Sequence, residues 1–158
     1  MPTVAFSHRS SWPRLMRAAF IGLLAAATLA AGFARHSHAA DDSLYRGLGG
    51  KDNIVKMIDV AMIKWLADPR ILDEFDNINL DRLKSRISDQ ICQIAGGPCQ
   101  YTGRDMYASH KGLHLNQAKF NALAENLQLA MDDVGIPFST QNRLMALLAA
   151  MQRDVVTR

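Results

Sequence analysis

From residue 50 to residue 156, apolar side chains return every three or four positions, and no alternating run is long enough to argue for a strand. Ile54, Ile58, Ala61, Met62 and Trp65 share one face of a helix that Asp52 can cap and that Asp68-Pro69 ends. From Asn79 the same period runs through Leu80, Leu83, Ile87, Ile91 and Ile94 until Gly96-Gly97-Pro98 stops it. A third pattern opens at Asn116 and carries Phe120, Leu123, Leu127, Ala130, Met131 and Val134 before Gly135 and Pro137. Ser139 can cap a fourth, with Leu144, Leu147, Leu148, Met151 and Val155 on its apolar face. Between the second and third helices, Tyr101 to His114 is short and polar, and only Arg104 to Lys111 has room for about two turns before Gly112. Four amphipathic helices must bury their stripes on one another, so the expected class is all-α, as in bundles and globin-type folds.

The first forty residues do not share this period. Arg9, Arg14 and Arg17 precede an uncharged, Ala- and Leu-rich run from Ala18 to Gly32, and Ser37-His38-Ala39 offers small residues where a signal peptidase reads. The apolar run is short for a membrane span. Residues 1–39 are therefore expected to be a cleaved secretory signal, with cleavage before Ala40, or else before Asp41; an uncleaved anchor is the alternative. No adjacent arginine pair favours the twin-arginine route. The folded domain, 40–158, would then lie outside the cytoplasm, in the periplasm, with no membrane association after cleavage.

Removal of that segment changes the charge balance. The whole chain has 18 basic and 15 acidic residues, a net charge of +3. Residues 40–158 retain 14 basic against the same 15 acidic residues, a net charge of −1, with the signs interleaved. A nucleic-acid partner is not indicated. The 49% hydrophobic composition supports one real core and one domain.

Cys92 and Cys99 both fall in the domain, and an oxidising compartment permits them to pair. Their spacing fits neither a thioredoxin-type site nor covalent c-type haem attachment. In unbroken helix, seven residues would separate them by about 10.5 Å, too far for the bond, so pairing requires the glycines to reverse the chain.

Only two histidines remain after residue 40, His110 and His114. Met106 and His110 are four apart and share a face of the short helix, whereas His114 follows Gly112. Position alone leaves His110 open to a packed or surface role. The ordered set Leu44-Tyr45-Arg46-Gly47-Leu48-Gly49-Gly50, Leu66-Ala67-Asp68-Pro69, Phe75, Leu80-Asp81-Arg82-Leu83-Lys84, Gly96-Gly97-Pro98, Tyr101-Thr102-Gly103 and Met106-x-x-x-His110 resembles the group I truncated haemoglobins over nearly all of residues 43–156.

That resemblance implies a two-over-two helical sandwich around non-covalent haem b. By it, His110 is the proximal iron ligand and Phe75 packs on the haem face. Arg86 lies near a propionate, and Met106, Leu115 and Phe120 line the pocket. Tyr101 and Thr102 lie beside the haem edge. Phe75 and Phe120 would serve as core in any helical fold, and Arg86 would also suit plain solvent exposure.

The sequence departs from the family on the distal side, where Ala61-Met62 replaces a Phe-Tyr pair and Ile87 stands where a Gln is frequent. The expected distal pocket is Met62, Leu83 and Ile87, with Gln90 turned off the apolar stripe. None of the three can donate a hydrogen bond, which counts against O2 storage or transport and O2-dependent nitric oxide oxidation. The expected function is an exported haem protein that binds O2, CO or NO at a His-ligated iron, with an unidentified reductase as a candidate partner. Two alternatives stay open: a haem enzyme of nitric oxide or peroxide detoxification, and a haem-free helical binding module.

Overall fold

A computed structural model of the chain describes residues 41–156; the export signal expected over residues 1–39 lies outside the described residues. Seven helices follow in order: α1 (Ser43–Gly47), α2 (Gly50–Ala67), α3 (Leu80–Ile94), α4 (Met106–His110), α5 (Gln117–Asp133), α6 (Phe138–Ala149) and α7 (Gln152–Val155). A 3-10 turn, Leu72–Phe75, joins α2 to α3. No strand occurs among the described residues, and none of their helices is long and apolar enough to cross a membrane. Helix α2 packs on α3, α5 packs on α6, and α2 crosses α5. The result is an all-α, two-over-two sandwich.

The inward stripe of α2, Ile54, Met57, Ile58, Ala61, Met62 and Trp65, is buried against Ile91, Leu127, Ala130, Met131 and Leu144. Each large side chain removed from water in this way contributes about 1.5–3 kcal/mol. Asn79 and Asn116 cap α3 and α5, their side chains accepting from the backbone N–H of Arg82 and Lys119.

Two expected caps differ. Gly49, at φ 85°, turns the chain early, so α2 starts at Gly50 and Asp52 lies within its first turn. Pro137 presets the chain, so α6 starts at Phe138 and Ser139 lies inside it. The final apolar series is also divided: α6 ends at Ala149, and Val155 belongs to α7.

Two local devices hold the irregular connections. After α2, the Asp68 carboxylate accepts from the Arg70 side chain at 2.7 Å and from Asn126 Nδ2 on α5 at 2.6 Å, while Arg70 also pairs with Glu125 at 2.9 Å. The Arg70 hydrogen bonds, then that of Asn126, hold the Asp68 carboxyl well below the usual carboxylate range. After α3, Gly96 takes φ 85° and reverses the chain. The reversal brings Cys99 to a Cα–Cα distance of 5.7 Å from Cys92, with a disulfide between them.

Candidate functional site

A cavity of about 640 Å³ opens between α3, α4, α5, the 3-10 turn and the last two helices. Its size falls within the range of cofactor sites. Leu83, Ile87, Leu115, Phe120, Leu127 and Leu148 make most of its wall apolar. Phe75 lines it too, stacked on Trp65 with ring centroids 6.0 Å apart and planes 8° apart. Trp65 Nε1 donates to the Leu123 carbonyl at 3.0 Å, so this ring presents no spare donor to the cavity.

His110 reaches the cavity from the last residue of α4. Asp105 starts that helix, its carboxylate accepting from Ala108 N–H at 2.7 Å. One turn of helix then places the His110 ring under its own backbone, with Nδ1 2.7 Å from the Met106 carbonyl oxygen. A carbonyl only accepts, so Nδ1 is the donor, and in the neutral ring the lone pair then lies on Nε2. This is the tautomer and orientation that a ligating imidazole requires. His114, by contrast, is exposed, takes φ 52° after Gly112 and is not on the cavity wall.

The mouth of the cavity is cationic. Arg82, Arg86, Arg104 and Lys119 line it with one carboxylate, Glu74, which pairs with Lys119. Arg86 is half-buried and donates to Thr102 Oγ1, and among the described residues none of the three arginines has an ion pair. Tyr101 lines the same edge, its hydroxyl donating to the Arg104 carbonyl at 2.7 Å. The loop folds so tightly here that a Cβ on Gly103 would lie 2.2 Å from the Tyr101 ring. A flat, mostly apolar group with an anionic edge and a metal that takes one imidazole nitrogen would fit this donor set.

Phe75, Leu83, Arg86, Ile87, Tyr101, Met106, His110, Leu115 and Phe120 thus meet around one cavity. Met62 does not join them. It is 4% exposed and packed in the core, because the turn of α2 that faces the cavity is the next one, at Trp65. Gln90 also departs from expectation: it lines the cavity, donating weakly from Nε2 to Met106 Sδ at 3.3 Å. Its position three residues after Ile87 places it on a neighbouring row of the same face. The sequence pattern missed Trp65 as a wall residue, and Arg82 and Arg104 as parts of the mouth. Interleaved charge along α3 gave no signal that its arginines converge with one from the loop.

The bacterial-like globin family matches residues 43–157. A group 1 truncated haemoglobin of Tetrahymena pyriformis is 27% identical over 114 residues, covering 72% of this chain and 94% of the relative. The solved structure of the truncated haemoglobin from that organism, in its Fe(III) form, superposes with a TM-score of 0.70 at 27% identity, over 73% of this chain and 98% of the other. The 2/2 haemoglobin of Synechococcus sp. PCC 7002, solved in the cyanomet state with covalently attached haem, gives a TM-score of 0.67 at 27% identity and the same coverage.

Proposed function

We propose, from the premise that this chain belongs to the bacterial-like globin family and is a group I truncated globin, that it binds haem b through His110 and holds a diatomic gas ligand against an apolar wall. The observation that carries the reading is the His110 ring, lining the cavity with Nδ1 committed to the Met106 carbonyl. Haem supplies an iron that takes O2, CO or NO. The chain's part is to bind, orient and exclude water. Phe75, Phe120, Leu115 and Met106 would give the apolar bed, and Arg86, with Tyr101 on the same edge of the cavity, would pair with the anionic groups of the haem. Leu83 and Ile87 line the cavity and would form the wall beside the bound gas. Neither can donate a hydrogen bond, and the Gln90 amide on the same cavity wall donates to Met106 Sδ and Met151 Sδ, so the wall favours CO over O2, whose binding gathers negative charge on oxygen.

Reconstitution of residues 40–158 with ferric haem tests this. A one-to-one complex with a Soret band that shifts on reduction and CO addition supports it, and the absence of any haem uptake contradicts it. The reading extends to location: residues 1–39 act as an export signal, supported by their basic, apolar and small-residue zones. The mass of the mature protein from a periplasmic extract checks this; a chain that keeps Met1 and stays in the cytosol would reject it. A reductase is the candidate partner in the same proposal, since iron that has oxidised to Fe(III) needs an electron before it binds O2 or CO again.

A further inference from the structure

We propose that the Cys92–Cys99 disulfide is a redox-sensitive clamp that holds the His110 segment on α3, so that opening it loosens the cofactor site while the helical core stays folded. The consequence for haem rests on the function proposed above; the clamp itself does not. Among the described residues, 98–104 make no backbone-to-backbone hydrogen bond. Most of the hydrogen bonds that fix this stretch beyond its own turn come from side chains of α3, while α4 beyond it also packs on α7. Gln93 Oε1 accepts from Tyr101 N–H at 2.6 Å, Arg86 donates to Thr102, and Gln90 donates to Met106 Sδ at the start of α4.

Those contacts are open to competition from water or weak by chemistry: Gln93 is exposed, Arg86 is half-buried, and sulfur is a poor acceptor. The disulfide alone is covalent. It also has a fixed seat, because Cys92 is fully buried and a Cβ on Gly97 would lie 2.7 Å from Cys92 Sγ and 2.5 Å from the Tyr45 ring. The bridge is thus anchored in the core at one end and holds the loop at the other.

Cys99 is half-buried where Cys92 is fully buried, so Cys99 Sγ is the sulfur we assign as the point of attack. A dithiol reductant can attack Cys99 Sγ through its thiolate, breaking the S–S bond and expelling Cys92 as thiolate, which takes up a proton. The second thiol of the reductant then attacks the mixed disulfide and releases Cys99 as thiol. The reductant gives up two electrons and two protons and becomes a disulfide; the chain gains two thiols. Tyr101, Gly103 and Arg104, all on the cavity wall, are then held to α3 by the non-covalent contacts alone.

The test compares the mature chain, the same chain treated with dithiothreitol, and the Cys92→Ala/Cys99→Ser double variant, with the treated variant as control for direct reduction of iron. Hydrogen exchange is read on peptides covering 98–110 and on peptides from α2 and α5, without haem; haem transfer to an excess of apo-globin acceptor is read separately. The clamp predicts that exchange over 98–110 and haem loss each accelerate about tenfold or more, while α2 and α5 stay protected. Unchanged exchange over 98–110, acceleration spread equally over α2 and α5, or two free thiols in the air-oxidised chain would overturn it. If exchange over 98–110 responds but no form takes up haem, the clamp stands and the haem function fails.

Discussion

His110 donates from Nδ1 to the carbonyl of Met106, one turn earlier on the same five-residue helix, at 2.7 Å. So short a helix has little stability of its own. Its order comes from the Asp105 cap, from packing on α7 and from the contact of Met106 Sδ with Gln90 of α3. The orientation of the His110 imidazole is therefore set by the cap of its own helix and by two other helices, α7 and α3.

The cavity wall beside the gas site is expected to respond to a single donor. Ile87→Gln introduces an amide among Leu83, Phe75 and Trp65, and should slow O2 release by about 10- to 100-fold, the worth of one hydrogen bond to a charged partner. CO release should change little. Stopped-flow measurement of both rates checks this; equal effects on the two gases would mean a steric rather than a hydrogen-bonding change.

Met62→Tyr, in contrast, should act on stability. Met62 is 4% exposed and off the cavity wall, so a phenol there overpacks the α2 core at a cost of about 1–3 kcal/mol. Urea denaturation should show the loss, with gas dissociation rates near those of the parent. A large, O2-selective effect would place residue 62 at the gas site after all.

Asp68→Asn should destabilise the domain at neutral pH, because it removes the carboxylate that Arg70 and Asn126 share. The Asp68 carboxyl is held below its ordinary value of 3.8, so its contribution is fully present above that pH. It fades as pH falls below that value toward the lowered one. The gap in melting temperature between parent and variant should therefore be constant from pH 7 to about 5 and close in stronger acid. A gap that widens in acid would contradict this sign.

Gly103→Ala should weaken cofactor retention more than it weakens the fold. The added methyl would lie 2.2 Å from the Tyr101 ring, whose hydroxyl closes the loop onto the Arg104 carbonyl. Faster haem loss with an unchanged far-ultraviolet circular dichroism spectrum is the expected pair of results. Retention equal to the parent's would mean that the loop can swing Tyr101 aside without loss.

Periodicity made the four long helices legible, since Ile54 to Trp65 and Leu80 to Ile94 mark their buried faces, and Asn79 and Asn116 mark two of the starts. It could not mark α1 or the 3-10 turn, which are shorter than the repeat that a pattern needs. Nor could it tell Met62 from Trp65. Both lie on one stripe, and only the crossing of α2 over α5 decides which meets the cavity and which the core. The meeting of Arg82 and Arg86 with Arg104 depends on chain reversal at Gly96, a long-range consequence of one left-handed residue.

Whether His110 is the iron ligand is decided by substituting each of the two histidines in turn. His110→Ala and His114→Ala variants of residues 40–158 are titrated with haem, and the ferrous-CO absorption spectrum of each is recorded. The His114→Ala variant should bind haem with the parent's spectrum, since His114 is exposed and off the cavity wall. His110→Ala should lose haem or show a shifted Soret band that added imidazole restores. The reverse pattern, with the His110 variant unchanged and the His114 variant impaired, would rule out His110 as the ligand.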